Sequence, residues 1–553
     1  MNHNGARLLV DCLIKHKVDY VFGIPGAKID SVYEALRASS DKIKLIVCRH
    51  EQNAAFIAAM YGRLTGRPGV VIVTSGPGVT NITTGLLTAT TEGDPIIAIG
   101  ANVTRGMSLK QTHQSLNNVG VMQYVTKSSV ELPVPESIPE AVENAFRTAS
   151  SGRPGAAFIS IPQDVLLQET TVLANPPAPA IEYGGAPKEA IEMAARLLNE
   201  ASFPVILLGM QASQPQNAEG IRQLLEHTQL PTVSTYQAAG VIPERLLSCF
   251  IGRVGLFKNQ YGDKALDKAD VVLTIGYDTV EYDPETWNTV NSTKKIIHLD
   301  TIAADIHTTY IPTVELLGNI TSTLESLKTA LNPSKVLPQR EEVKALQTQL
   351  LTTIGTGKNY HGSLIHPLRF IHDLHQCIDE KTTVISDIGT HYIWLARYFF
   401  FYAPRHLLFS NGQQTLGVAL PWAIAAKLIR PHEKVISISG DGGFLFSAME
   451  LETAVRENLN FVHCIWRDGA YNMVLEQQKI KYQHDSGVHF EAIDVVKYAE
   501  SFGAKGFSVT HTDELLPTLK EAFKQKGPVL IDIPIDYKDN PGLFLTVDPK
   551  NMN

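Results

Sequence analysis

The chain has 553 residues, which is too long for one hydrophobic core and predicts about three or four domains. Its 44% apolar and 19% charged residues are typical of a soluble globular protein, and no apolar run reaches the roughly 18–20 residues that span a bilayer. The formal net charge of −8 argues against the basic surface of a nucleic-acid-binding protein.

The N-terminus has a helical period and lacks the basic, apolar and small-residue blocks of a signal peptide. The five cysteines lie far apart and form no CxxC pair. This pattern fits a reducing compartment and argues against a zinc site or a disulfide framework. We therefore expect a cytoplasmic protein.

Short apolar runs recur along the chain, and each is followed by Gly, Pro, Asp or Ser. Because apolar and polar residues do not alternate in them, we expect strands buried on both faces, as in parallel sheets covered by helices. Helical patterns such as residues 190–201 and 446–458 lie between the runs, which predicts an α/β fold. The runs occupy residues 70–73, 96–99, 158–161, 205–208, 271–275, 383–386, 435–438, 461–466 and 529–533.

Two breaks in composition divide this pattern. Residues 175–187 are rich in proline and glycine, and residues 332–366 are polar with few strand signals. We therefore predict three doubly wound, parallel-sheet domains, at residues 1–170, 188–330 and 366–540.

The most informative segment is the buried run that ends in Gly440-Asp441-Gly442-Gly443. Glycines at a strand end let backbone N–H groups approach an anion, and the N-terminus of the following helix favours phosphate. Asp468 ends the next run and reaches the same crevice if the two strands are neighbours. An isolated GDG is about as often an ordinary capped turn, but the second aspartate favours an oxygen-rich Mg²⁺ site.

This pattern resembles the signature of the thiamine diphosphate enzymes, in which GDG is followed at a set interval by Asn or Asp at a strand end. The resemblance implies Asp441, Asp468 and the backbone carbonyl of Ala470 as metal ligands. It also implies pyrimidine-binding, central and diphosphate-binding domains in that order. Many relatives carry Asn in place of Asp468, and the extra negative charge is expected to tighten metal binding slightly.

Glu51 follows Arg49-His50 and begins a nearly apolar, alanine-rich helical stretch. Judged from the residues alone, a carboxylate at a helix start most often satisfies backbone donors. The resemblance instead places Glu51 against the aminopyrimidine ring of the cofactor. There it would relay a proton and promote the nucleophilic ylide.

The resemblance is closest to the acetolactate synthases of the catabolic, FAD-independent type, and it extends from residue 22 to residue 504. It includes residues 110–115, 411–421 and 449–454. This family joins two pyruvates through hydroxyethyl-thiamine diphosphate, with release of CO₂, and the 2-acetolactate feeds acetoin and butanediol formation.

Other activities stay open on the same fold. A pyruvate oxidase and a 2-keto acid decarboxylase are the alternatives. A non-catalytic binding protein is a remote one, because Glu51, Asp441 and Asp468 are all present.

Further site residues follow from the resemblance. Leu416 takes the place of a bulky apolar residue beneath the bent cofactor. Gln114 is expected near the substrate, although an ordinary loop role is equally open for it and for His113. Contacts to the cofactor are expected from Pro25, Gly26, Glu51, Gly78, Asp387, Gly389, Thr390, His391, Asn411, Gly412, Gln413, Gln414, Leu416, Gly440, Gly442, Gly443, Ala470, Tyr471, Asn472, Met473 and Val474.

Gln477 is expected to influence the choice of the second substrate. Biosynthetic relatives carry Trp at this position, where it favours 2-ketobutyrate, and Gln removes that apolar surface. We therefore expect pyruvate to be preferred as the acceptor. The groups that hold the acceptor carboxylate stay open, with Lys28 and Arg153 as candidates.

The central domain resembles the nucleotide-binding domain of FAD-containing relatives. Those relatives carry two arginines after the strand that ends near Gly276. Residues 277–284 of this chain have acidic groups instead, which are unfavourable beside a diphosphate. We therefore expect no FAD.

The resemblance also implies an assembly. In this family the active site lies between two chains, so Glu51 and Asp441 are expected to come from different subunits. A homodimer would then be required for activity, and we expect a homotetramer.

Overall fold

The computed structural model describes residues 3–333 and 340–544. The strands form three six-stranded parallel sheets and one antiparallel pair, His3–Asn4 with Glu169–Thr170. In these ranges no helix combines the length and the apolar character needed to cross a membrane. Residues 1–2 of the first predicted domain and residues 334–339 of the second predicted break lie outside the described residues.

The first sheet places its strands in the chain order second, first, third, fourth, sixth, fifth. Its strands, in spatial order, are Lys44–Val47, Tyr20–Gly23, Gly69–Val73, Ile96–Asn102, Ala156–Pro162 and Ser128–Glu131. Its helices are Gly5–Lys15, Asp30–Arg37, Glu51–Thr65, Pro77–Asn81, Thr83–Glu92, Asn118–Met122, Ile138–Ser150 and Gln163–Leu167. Two central strands are buried along their whole length, which explains why their sequences do not alternate.

The second sheet has a different order, third, second, first, fourth, fifth, sixth. This order reverses between its first and fourth strands, and such a reversal opens a crevice at the carboxyl ends of the strands. Its strands, in spatial order, are Phe250–Val254, Thr232–Thr235, Pro204–Leu208, Val271–Ile275, Lys295–Asp300 and Val314–Leu317. Its helices are Lys188–Glu200, Pro215–Thr228, Tyr261–Lys268 and Ile320–Ala330.

The third sheet repeats the order of the first and reverses between its first and third strands. Its strands, in spatial order, are Leu407–Phe409, Thr383–Ser386, Val435–Gly440, Val462–Arg467, Val529–Pro534 and Lys505–Ser508. The helices of this region are Pro367–His375, Thr390–Tyr398, Ala419–Ile429, Asp441–Phe444, Leu451–Arg456, Asn472–Tyr482, Val495–Ser501, Thr512–Ala522 and Pro541–Phe544.

The three sheets confirm the predicted α/β class with doubly wound parallel sheets. Each sheet lies within one predicted domain range, but the described residues form two compact units. One unit contains residues 3–181, 420–431 and 445–459, and the other contains residues 182–333, 340–419, 432–444 and 460–544. The three-domain bounds therefore stay a prediction.

The second predicted break contains more regular structure than its polar composition indicated. Arg340–Gly355 is a 16-residue helix, and Val343, Leu346 and Leu350 are its buried apolar residues. A single apolar stripe at helical spacing is enough to attach a polar helix to a core. In contrast, the helix predicted at residues 446–458 is shorter than expected, since only Leu451–Arg456 is α-helical.

Candidate active site

A cavity of about 190 Å³ lies at the carboxyl ends of the strands of the third sheet. Its position beside the strand Val435–Gly440 is the point where the strand order reverses, and open α/β sheets bind ligands at such points. The predicted site residues that line it are Gly389, Thr390, His391, Gln414, Leu416, Gly440, Gly442, Gly443, Asp468, Ala470, Tyr471, Asn472, Met473 and Val474.

Asp441 and Asp468 are brought together because their strands are neighbours in the sheet. Oδ2 of Asp441 accepts the backbone N–H groups of Asp468 at 3.2 Å and Gly469 at 2.8 Å. Desolvation and then the negative charge of Asp441 raise the pKa of Asp468, and burial raises the pKa of Asp441. A bound divalent cation would offset both the burial of these carboxylates and the repulsion that Asp468 experiences from Asp441.

The ligand chemistry at this point suits magnesium. Among residues 3–333 and 340–544, no group of three or more His, Cys, Asp or Glu side chains is arranged around a common metal position. A site built from Asp441, Asp468 and the carbonyl of Ala470 needs further oxygen ligands, and a diphosphate and water would supply them. These three ligands stay a prediction, and the side chains present are compatible with it.

Two positions of the cavity lining are packed so closely against aromatic rings that they require glycine. A Cβ atom on Gly442 would come within 2.6 Å of the Tyr471 ring, and one on Gly389, where φ is +150°, within 2.7 Å of the His391 ring. His391 is buried, burial lowers its pKa to about 3, and its Nε2 has no hydrogen-bond partner among the described residues. A neutral imidazole with an unsatisfied nitrogen fits a phosphate group as its partner.

Asn411 fixes the start of the loop that brings Gln414 and Leu416 to the cavity wall. Its amide donates to the carbonyl of Glu281 at 2.6 Å, and its Oδ1 accepts the hydroxyl of Tyr392. Asn411 is therefore a support of the loop in this structure. Its own contact with the cofactor, like those of Gly412 and Gln413, stays a prediction, because none of the three lines the cavity that the described residues form.

Asp387 holds the other end of the same loop. Its buried carboxylate accepts the N–H groups of Ile388 at 2.7 Å, Gly417 at 3.0 Å and Ala419 at 3.1 Å. Burial raises the pKa of Asp387 to about 6. The residue shapes the wall through the backbone, and the predicted direct contact with the cofactor remains untested.

The helix Asn472–Tyr482 carries the predicted substrate-pocket residues. Met473 and Val474 line the cavity, whereas Gln477, about one turn further on, is half-buried and lies outside that lining. Tyr537 also lines the cavity. The sequence analysis missed it, since it belongs to no motif and reaches the site only through the fold of the last strand.

Glu51 lies at the first position of the helix Glu51–Thr65. Its Oε2 accepts the side-chain amide of Asn81 at 2.9 Å. Its Oε1 is 3.7 Å from the point where a Cβ atom on Gly78 would stand. The structure therefore brings Glu51 next to the predicted glycine of loop 74–78 and adds Asn81, which no sequence motif indicated.

Gln114 lies beside the same loop. The hydroxyl of Ser75 donates to its Oε1 at 3.2 Å, and its φ is 62°. A Cβ atom on Gly26 would come within 2.5 Å of the Thr74 side chain, so the close approach of these loops requires glycine there. Arg153, a candidate for the acceptor carboxylate, donates to the carbonyl of Thr91.

Comparisons with known proteins agree with this geometry. Residues 3–121, 191–327 and 387–533 match, respectively, the N-terminal TPP binding domain, the central domain and the C-terminal TPP binding domain of thiamine pyrophosphate enzymes. The chain is 50% identical over 556 residues to an acetolactate synthase of Bacillus subtilis, which covers 100% of this chain and 96% of that protein.

Two further relatives cover similar lengths. The catabolic acetolactate synthase of Raoultella terrigena is 45% identical over 548 residues, covering 98% of this chain and 96% of that protein. A probable acetolactate synthase large subunit of Methanocaldococcus jannaschii is 33% identical over 560 residues, covering 96% of this chain and 92% of that protein. With its three TPP domains and these full-length likenesses, the chain belongs to the acetolactate synthases, a family of thiamine diphosphate-dependent enzymes.

Proposed function

We propose that this enzyme condenses two pyruvates to 2-acetolactate with release of CO₂, using thiamine diphosphate and Mg²⁺ and no flavin, and that the product feeds acetoin formation. The observation that carries the proposal is the glycine-lined cavity with Asp468 in its lining and Asp441 hydrogen-bonded to the backbone of Asp468 and Gly469. In this proposal the diphosphate would bind in the cavity and the cation beside it, at the ends of two neighbouring strands.

The roles of the residues follow from their chemistry. Asp441, Asp468 and the carbonyl of Ala470 would hold the metal, and His391 would contact the diphosphate.

Thiamine diphosphate, when bound, supplies the carbanion chemistry that side chains cannot. Glu51 would hold and move a proton at the pyrimidine ring, and the apolar side chains of Leu416 and Met473 would exclude water.

The acceptor is proposed to be a second pyruvate. Gln477 stands on the helix that brings Met473 and Val474 to the cavity. A polar side chain there offers little apolar surface to the extra methylene of 2-ketobutyrate, which is worth about 0.8 kcal/mol when buried. Pyruvate lacks this methylene, so a polar side chain at Gln477 does not weaken its binding.

The absence of a flavin is supported by the crevice of the central sheet. The carboxylate of Glu281 is buried there and accepts the N–H of Met210 through both oxygens at 2.9 and 3.0 Å. It also accepts the hydroxyl of Thr235 at 2.6 Å and the N–H of Asp278 at 3.1 Å. The diphosphate of a dinucleotide would need such donors where the strand order reverses. Glu281 already accepts hydrogen bonds from them, and its negative charge would repel a diphosphate.

We also propose that the enzyme is a homodimer at minimum and that the dimers form a homotetramer. Glu51 and Asp441 of one active site would then come from different subunits. The proposed location of the enzyme is the cytoplasm. The support is the likeness to the acetolactate synthases. Sedimentation of the purified enzyme in the presence of pyruvate tests it, and an active monomer would refute the shared site.

The decisive experiment is to incubate the protein with pyruvate, Mg²⁺ and thiamine diphosphate without FAD. The expected product is 2-acetolactate, which acid converts to acetoin. Acetaldehyde would indicate a decarboxylase, and oxygen consumption with a bound flavin would indicate an oxidase. Glu51→Gln is expected to be inert, while Glu189→Gln, at an exposed position, serves as the matched control.

A further inference from the structure

The carboxylate of Glu51 makes one side-chain hydrogen bond within the residues that the structure describes. Nδ2 of Asn81 donates to Oε2 of Glu51 at 2.9 Å, from the last residue of the short helix Pro77–Asn81. Both side chains are half-buried, so water competes with this bond less than it would at the surface.

This bond makes the two oxygens of Glu51 chemically different. A side-chain amide nitrogen donates and does not accept, so with the amide in this orientation Oε2 is the oxygen that accepts. Oε1 lies on the side of Gly78, which has no side chain to cover it. A proton held by Glu51 therefore belongs on Oε1.

The backbone that carries Glu51 is also fixed. Glu450 is fully buried, and its Oε1 accepts the N–H groups of Arg49 at 2.7 Å and His50 at 3.0 Å. These hydrogen bonds hold the backbone of the two residues that precede Glu51 in place. Rotation of the Glu51 side chain is the freedom that remains, and the bond to Asn81 restricts it.

We propose that Asn81 is a positioning residue, which keeps Oε2 of Glu51 as an acceptor and leaves Oε1 to exchange the proton with the cofactor ring. The inference rests on the proposed role of Glu51 as the proton-relaying group. Asn81 does not line the cavity with the predicted metal and diphosphate groups. Its effect is therefore expected on proton exchange and not on cofactor affinity.

The test uses the full-length enzyme loaded with thiamine diphosphate and Mg²⁺, without pyruvate. The exchange of the thiazolium C2 proton for deuterium is followed by NMR after rapid quenching, and cofactor affinity is measured by calorimetry. Asn81→Ala is expected to slow the exchange about tenfold or more while leaving the affinity nearly unchanged. Thr80→Ala, an exposed neighbour on the same helix, is expected to change neither.

Wild-type exchange in Asn81→Ala would overturn the proposal, and so would a loss of affinity with normal exchange, which indicates a merely structural role. If that variant does not fold, the isosteric Asn81→Asp replaces the donor by an acceptor and is expected to slow the exchange as strongly. Unchanged exchange in Asn81→Asp would also overturn the proposal. Wild-type exchange in Glu51→Gln would instead refute the proposed role of Glu51 itself.

Discussion

In the central and the C-terminal sheets the strand order reverses beside the first strand, but the two crevices at these points are occupied differently. In the central sheet the buried carboxylate of Glu281 accepts hydrogen bonds from the strand ends. In the C-terminal sheet the same kind of position is a cavity of about 190 Å³, where His391 Nε2 has no partner among the described residues.

This difference shows that both sheets place hydrogen-bond donors at the ends of their strands. The sequences of the loops determine which anion accepts from these donors. In the central crevice the anion is part of the chain, so the donors are already satisfied. In the C-terminal crevice Nε2 of His391 has no partner among the described residues, and Asp441 and Asp468 are the proposed ligands of a cation. Between these two crevices, the C-terminal one has the chemistry of a site for a metal-bound diphosphate.

Among the substitutions that test the difference between the two crevices, Asp441→Asn is expected to have the largest effect on activity. The substitution keeps the shape of the side chain but removes the negative charge that a divalent metal requires. We expect activity to fall by about three orders of magnitude or more, with loss of Mg²⁺-dependent cofactor binding in calorimetry. The exposed Asp305→Asn is the control, and wild-type cofactor affinity in Asp441→Asn would contradict the metal assignment.

Glu281→Ala tests the other crevice. The change leaves the N–H groups of Met210 and Asp278 and the hydroxyl of Thr235 without their acceptor in a buried place. We expect a loss of about 4 kcal/mol in the free energy of unfolding, because each unpaired buried donor costs about 1–3 kcal/mol. Chemical denaturation measures it, with the exposed Glu285→Ala as the control. An equally stable variant would mean that water replaces the carboxylate without cost.

These two crevices also show what the sequence could predict. The apolar runs indicated the parallel strands, because double burial removes alternation, and Gly440 to Gly443 with Asp468 indicated the cofactor edge. The sequence indicated an acidic stretch at residues 277–284, but only the fold shows that Glu281 is the carboxylate that accepts hydrogen bonds from the strand ends. Asn81 was not found, since it acts through a tertiary contact that no spacing in the sequence records. The contact of Asp387 with the cofactor stays a prediction, and only the fold shows that its carboxylate accepts the backbone N–H groups of Gly417 and Ala419.

Asp387, beside the C-terminal crevice, is expected to make the free energy of unfolding depend on pH. Its pKa in the folded protein is about 6, above the ordinary value of 3.8 that applies when the chain is unfolded. The unfolded chain therefore loses this proton first, and raising the pH from about 4 to about 6 decreases the free energy of unfolding, by up to about 3 kcal/mol.

The measurement is urea denaturation of the wild type and Asp387→Asn at several pH values. We expect the wild type to lose stability relative to the variant across this window and the difference to be constant above pH of about 6. Asp379→Asn, at an exposed position, serves as the control variant. Parallel curves for the wild type and Asp387→Asn would show that the loop end is held without this titration.

The smallest expected effect comes from Gln477→Trp, which would add apolar surface to the helix that carries the cavity residues Met473 and Val474. Burying one additional methylene is worth about 0.8 kcal/mol, so the preference for 2-ketobutyrate over pyruvate as acceptor is expected to rise about fourfold. Competition between the two keto acids, read as the ratio of 2-aceto-2-hydroxybutyrate to 2-acetolactate, measures it. Lys479→Trp places the same ring at an exposed position of the helix and should leave the ratio unchanged. If the wild type already made mainly 2-aceto-2-hydroxybutyrate, the polar side chain of Gln477 would not be what selects the acceptor.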